Sequence, residues 1–156
     1  MAEPSPIKVA IATPQEIVEI DRNFFRNLTR KVLQGEKVAK AAISLAFVDD
    51  ETIHRLNKQF LDHDEPTDVL SFPLGKGKSG LEGELVIGVE VARRVAKEEG
   101  HSVDAELALY AIHGLLHLVG YDDKSFTKAI VMREAERRHL AALGLPDIAP
   151  KLKKRK

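Results

Sequence analysis

The sequence predicts an α+β fold: a small mixed four-stranded sheet packed against helices, with a histidine-bearing helix near its centre. Three observations predict it. Apolar residues alternate at period 2 in Ile7–Ile11 and Ala41–Val48, Thr67–Phe72 reads as a strand between two prolines, and a shorter apolar run follows at Glu84–Gly88. Between and after these runs the apolar spacing changes to the helical period. A length of 156 residues with 44% hydrophobic content suits one core, and no internal repeat or linker divides the chain, so residues 1–150 are read as a single domain and 151–156 as a basic tail.

The elements follow in order. Ile7, Val9 and Ile11 alternate with Lys8 and Ala10 as a first strand. Thr13-Pro14-Gln15-Glu16 has the form of a capping box with proline at the first helical position, although Asp21 could equally begin the helix. Ile17, Ile20, Phe24, Leu28 and Val32 keep helical spacing up to Gly35. The second strand, Ala41–Val48, ends at Asp49-Asp50, which caps a short helix carrying Ile53, Leu56 and Phe60. Leu61 to Pro66 is a polar turn. Thr67–Phe72, bounded by Pro66 and Pro73, suits a sheet edge. Gly75 to Gly80 reads as a basic, flexible hairpin loop rather than a phosphate loop, because the GxxxxGK[ST] spacing is absent. After the Glu84–Gly88 strand, Val89, Ala92, Val95 and Ala96 mark a helix ending at Gly100. A helix over Ala105–Val119 takes Ser102 as N-cap and Gly120 as terminator. The last helix runs from Phe126 to Leu143, with Ile130, Leu140 and Leu143 facing inward.

Composition narrows the chemistry. There are no cysteines, so any metal site must use histidine and carboxylates. No stretch approaches the ~20 apolar residues of a membrane span, and the N-terminus lacks a signal pattern, so a cytoplasmic protein is expected. The net charge of zero hides an asymmetry. Five of the 24 basic residues lie in the last six positions, leaving residues 1–150 with 19 basic against 24 acidic groups. Such a tail is a solvated end or a salt-dependent grip on RNA phosphates. His54, His101 and His139 lie in polar, exposed-looking positions and are assigned no function; His63, in the polar turn, reads as a surface residue, with a supplementary ligand as the alternative.

His113 and His117 stand four apart on one helix face, about 6 Å of rise between them, which suits two imidazole nitrogens sharing one ion. Beyond Gly120 the chain can fold back and bring Asp123, or failing it Asp122, to the same ion. The alternative is a pair of core histidines bonded to backbone or carboxylate. The order His, x3, His, x2, Gly, x2, third ligand is also the frame of the metzincin proteases, HExxHxxGxxH, hence a zincin-like central metal helix. Gly114 stands where that pattern has its glutamate general base. A peptidase is therefore disfavoured.

His113-Gly114-Leu115-Leu116-His117-Leu118-Val119-Gly120-Tyr121-Asp122 resembles the HGxLHLxGYDH signature of the YbeY-type bacterial endoribonucleases. A second match lies in Leu56-Asn57 with Pro66-Thr67-Asp68-Val69-Leu70-Ser71-Phe72-Pro73. Gly83-Glu84-Leu85 resembles the family's central strand, usually GDI, and Met132 and Glu136 fall at its MxxxE pair. The resemblance implies a single-strand-specific, metal-dependent endoribonuclease of ribosomal RNA processing, including small-subunit 3′ end maturation and ribosome quality control. It also implies ribosomal RNA and small-subunit components as partners, with neither DNA nor membrane. One divalent ion, Zn2+, would be held by His113, His117 and Asp123.

Two departures stand out. The family's third ligand is His where this chain has Asp123, and its Arg after the LN pair is replaced by Leu61. An aspartate lowers the charge of the ligand set by one unit, so a less acidic bound water and greater tolerance of harder ions are expected. With Leu61 unable to stabilise a phosphorane oxyanion, Lys58 one turn earlier, or Arg55, is the candidate cation. The candidate catalytic residues are thus His113 and Lys58.

Overall fold

The computed structural model describes residues 6–65, 67–78 and 80–150, with strands β1 (Ile7–Ala12), β2 (Ala41–Val48), β3 (Val69–Gly77) and β4 (Gly80–Gly88) and helices α1 (Arg22–Gly35), α2 (Asp50–Leu61), α3 (Val89–Glu99), α4 (Val103–Leu118) and α5 (Phe126–Ala142). The sheet order is β1-β2-β4-β3. β1 and β4 flank β2 in parallel, while β3 pairs antiparallel with β4 and forms one edge. The two parallel pairings need crossovers, supplied by α1 and by the α2–β3 excursion.

Period-2 alternation sorts the strand residues. Ile7, Ile43, Leu45, Phe47, Leu85 and Ile87 are buried in the main core with Phe25, Leu28 and Val32 of α1 and Leu107, Ile112 and Leu115 of α4. On the other face Val48, Leu70 and Val86 pack with Ile53 of α2. α4 is apolar all round, and twelve of its sixteen residues are buried. Polar groups on such a helix must find partners inside the protein or sit at its ends.

Two glycines let α4 descend onto the sheet. A Cβ on Gly114 would lie 2.7 Å from a Leu85 methyl and 3.2 Å from Ser71 Oγ, and one on Gly83 would lie 2.7 Å from a Leu118 methyl. Ser71 Oγ donates to the Gly114 carbonyl at 3.3 Å, joining edge strand to helix. Gly114 therefore faces the sheet, and a glutamate there would have no room.

Several elements differ from expectation. α1 begins at Asp21, whose carboxylate accepts from Phe24 N–H. The Thr13-Pro14-Gln15-Glu16 box does not open a helix, because Gln15 Oε1 takes the N–H groups of Ile17 and Val18 instead. β3 continues to Gly77 through an irregularity between Pro73 and Gly75, and β4 begins at Gly80, so the expected loop is largely hairpin. On α5 the inward residues are Met132, Ala135, Glu136, His139 and Leu140, while Ile130 and Leu143 are only partly buried. His139 is a correction: it is 5% exposed, with Nε2 2.6 Å from Glu36 Oε2. His101 is also half-buried, 2.5 Å from Glu106. His139 is satisfied by a carboxylate distant in sequence and His101 by one five residues on. Pro66, Ser79 and the 151–156 tail lie outside the described residues.

The Gly114 contact predicts that Gly114→Ala destabilises the fold by about 1–3 kcal/mol through overpacking against the sheet. Urea unfolding checks this, and an unchanged midpoint would show that α4 has slack above Leu85.

Candidate metal centre

α4 starts where Ser102 Oγ accepts from Ala105 N–H at 3.1 Å, and it carries His113 and His117 to its final turns. The two Nε2 atoms are 3.1 Å apart and the rings meet edge to face. His113 Nδ1 lies 2.6 Å from Oε2 of Glu136, a fully buried carboxylate on α5. That contact orients the ring and leaves Nε2 for a ligand. Burial pushes the His117 imidazole pKa down, aided by repulsion from His113, against opposing contributions from Asp123 and a hydrogen bond to the Tyr121 backbone. His117 is therefore held in its neutral, metal-binding form near pH 7.

The helix ends in a left-handed residue, Gly120, at φ +113°. Tyr121 N–H then donates to Leu116 O at 3.0 Å, folding the chain back. Tyr121 OH donates at 2.7 Å to Glu36, which also meets His139 and accepts from Arg138 at 3.1 Å. The loop is thereby moored to α1 and α5. Burial pushes the Glu36 carboxyl up, but hydrogen bonds from Tyr121, His139 and Arg138 outweigh it and hold the group below its ordinary range.

This return brings one donor atom each from His113, His117 and Asp123 within 4.8 Å of one another. Two donors on a tetrahedral zinc-sized ion stand about 3.3 Å apart, so modest tightening would seat one ion. Asp122 is directed elsewhere: its Oδ1 accepts from Lys124 N–H at 3.0 Å, and Lys128 Nζ is 3.5 Å from Oδ2.

The cleft beside the imidazoles is walled by Val69 to Ser71 and Pro73 of β3 and by Leu61 of α2. Phe60 is 57% exposed, its ring 5.6 Å from that of Phe72. Lys58 does not line this cleft; its exposed Nζ lies 3.9 Å from Asp64. Arg55 is exposed as well.

One residue escaped the sequence reading. Arg133 of α5 is 11% exposed, with Nη1 3.0 Å from Glu136 Oε1 and Nη2 3.3 Å from His113 Nδ1 and 3.7 Å from Asp123 Oδ2. Its spacing from Glu136 was a legible helix pair. Its approach to Asp123 depends on how α5 crosses α4, which no local pattern encodes.

Fold and site together define a class: α+β domains with a zincin-like arrangement, in which a central helix presents two histidines and the following loop offers a further donor. The pattern of the family described as Endoribonuclease YbeY matches residues 10–144. The endoribonuclease YbeY of Carboxydothermus hydrogenoformans is 39% identical over 138 residues, covering 86% of this chain and 96% of the relative. That of Pelotomaculum thermopropionicum is 40% identical over 148 residues, covering 88% and 97%. The solution structure of TM1509 from Thermotoga maritima is similar at a TM-score of 0.62 and 25% identity, over 96% of this chain and 99% of that one. The chain belongs to the YbeY family.

Because the folded Glu36 carboxyl is depressed, its contribution to stability is complete above the ordinary glutamate range and is lost as pH falls through the folded value. Glu36→Gln should flatten the acid side of the stability curve relative to the natural protein. Thermal melts across that range check it, and parallel curves would remove Glu36 as a contributor.

Proposed function

We propose that the protein is a metal-dependent endoribonuclease, specific for single strands, that acts in ribosomal RNA processing, including maturation of the small-subunit RNA 3′ end and ribosome quality control. The observation that carries this reading is the convergence of donors from His113, His117 and Asp123 beside an open cleft. Neutral nitrogen with one carboxylate suits Zn2+, and the chemistry such an ion supplies when bound is Lewis acidity toward water and a phosphoryl oxygen. The remaining work belongs to the chain. Glu136 holds the His113 ring, and the Glu36 cluster keeps the Asp123 loop in reach.

Strand selectivity has a physical basis in the rim. Phe60, beside Phe72, offers an aromatic face on which an unstacked base can lie, whereas a duplex keeps its bases stacked internally. Lys58 is retained as the cation for the scissile phosphate or its neighbour. Its long, exposed pair with Asp64 is of the kind worth little, so exchange for a phosphate costs little. Ribosomal RNA and small-subunit components are the partners, and the site is cytoplasmic; DNA and membrane are not. Among the described residues no helix is long and apolar enough to cross a membrane.

A second reading, an RNA-binding assembly factor whose ion is structural, is favoured by one observation. Leu61 occupies the cleft wall where the resembled motif places an arginine. Incubating Zn2+-loaded protein with labelled single-stranded RNA, duplex RNA and casein separates the readings. Cleavage of single-stranded RNA alone, abolished by chelator, restored by Zn2+ and lowered about 100-fold or more in His117→Ala, is expected. Lys58→Ala should lose about 10-fold in kcat/KM. Retained RNA binding with no cleavage in any arm would instead establish the assembly factor, and full activity in Lys58→Ala would remove that residue from its role.

Base stacking is worth about 1–3 kcal/mol, so Phe60→Ala should weaken single-stranded RNA binding about 5- to 150-fold. Duplex binding should be unchanged. Equal losses on both substrates, measured by fluorescence anisotropy, would show that Phe60 does not discriminate strands.

A further inference from the structure

We propose that Asp123 and Arg133 work as a linked pair at the metal centre, the carboxylate supplying a donor and the guanidinium cancelling the charge that this donor brings. The inference rests on the ligand set proposed above.

The electrostatics start with Glu136. Its carboxylate is 0% exposed and is engaged by His113 Nδ1, so one negative charge already lies directly behind the first imidazole. Asp123 adds a second from the loop. Two neutral imidazoles offset neither. Arg133 stands between the two acids, 3.0 Å from Glu136 Oε1 through Nη1 and 3.7 Å from Asp123 Oδ2 through Nη2. A guanidinium does not deprotonate in proteins, so this positive charge is permanent. With it, the surroundings of an ion carry one net negative charge, the value that three neutral imidazoles in front of Glu136 would give. A neutral side chain at position 123 would need no such partner.

The geometry supports a role beyond a helix surface pair. Arg133 is 11% exposed, its Nη2 is 3.3 Å from His113 Nδ1, and its Nε is buried with no hydrogen-bond partner among the described residues. A guanidinium held with a donor unsatisfied is costly as a mere strut. Its nearest approach to Asp123 is to one oxygen, and a carboxylate has a second with which to meet an ion. Arg133 is thus a positioning residue, acting on the ion through Asp123 and Glu136. It offsets the drop in ligand-set charge that Asp123 alone would impose.

The test is a cycle of variants read by affinity for Zn2+ alone, in competition with a chromophoric chelator, with circular dichroism to establish folding. Asp123→His should bind Zn2+ at least about 10-fold more weakly than the natural protein, because Arg133 then cancels the charge of Glu136 and the surroundings of the ion carry no net negative charge. Asp123→His/Arg133→Met should recover to within about 3-fold. Asp123→His/Arg133→Lys keeps the positive charge and should remain weak. The pair is overturned if Asp123→His binds as tightly as the natural protein, if the folded Met double variant does not recover, or if the Lys double variant recovers equally. Should the Met double variant fail to fold, the Asp123→His and Lys arms still decide. Failure of the natural protein itself to bind Zn2+ would overturn the proposed ligand set, and the pair with it. Natural binding, with Arg133→Met alone changing Zn2+ affinity by the same factor as Arg133→Met does in the Asp123→His background, would overturn the pair alone.

Discussion

A helix buried on every side constrains everything near it. α4 lies between the sheet, α1, α3 and α5, and along most of its length only apolar or small side chains can be tolerated. The two imidazoles fall in its last turns, where one flank opens onto the cleft beside β3 and the other meets α5. These departures from apolarity have partners: Glu136 of α5 for His113, and the His113 ring itself for His117, the two Nε2 atoms 3.1 Å apart. The same burial accounts for Gly114. Helix and strand approach so closely that the position beside His113 has space for hydrogen alone, and an acid cannot be accommodated there.

Features governed by neighbours in sequence were legible. Ser102, Asp49 and Gly120 act as caps and terminator because a short oxygen-bearing side chain, or a residue free to adopt positive φ, resolves a helix end locally. The edge position of β3 followed from its flanking proline. The start of α1 was less determinate, because two capping segments competed and Gln15 settled the matter by taking N–H groups outside the helix. The buried state of His139 and the place of Arg133 were not legible at all. Each depends on a carboxylate or imidazole that only the packing of α5 against α1 and α4 brings near. Polar residues look exposed in a sequence until their partners are known.

The Glu36 cluster links the fold to the site. Tyr121 belongs to the same short segment as Asp123, and its hydroxyl reaches the carboxylate at the end of α1. His139 and Arg138 converge on that acid from α5. Two helices, α1 and α5, therefore hold the segment that carries Asp123. A carboxylate donor on an untethered loop would give up conformational entropy on meeting an ion; one held in place gives up less.

Neighbouring aspartates in that loop have separate tasks, and the backbone explains why. Asp122 accepts from Lys124 N–H, an Asx turn that fixes the chain direction just before the cap of α5 at Ser125. With the Asp122 side chain committed to that turn, the next side chain is the one left to face the imidazoles. An acid able only to accept from the backbone closes the turn, and the acid after it is exposed to the pull of a cation. There Asp123 Oδ2 lies 3.7 Å from Nη2 of Arg133.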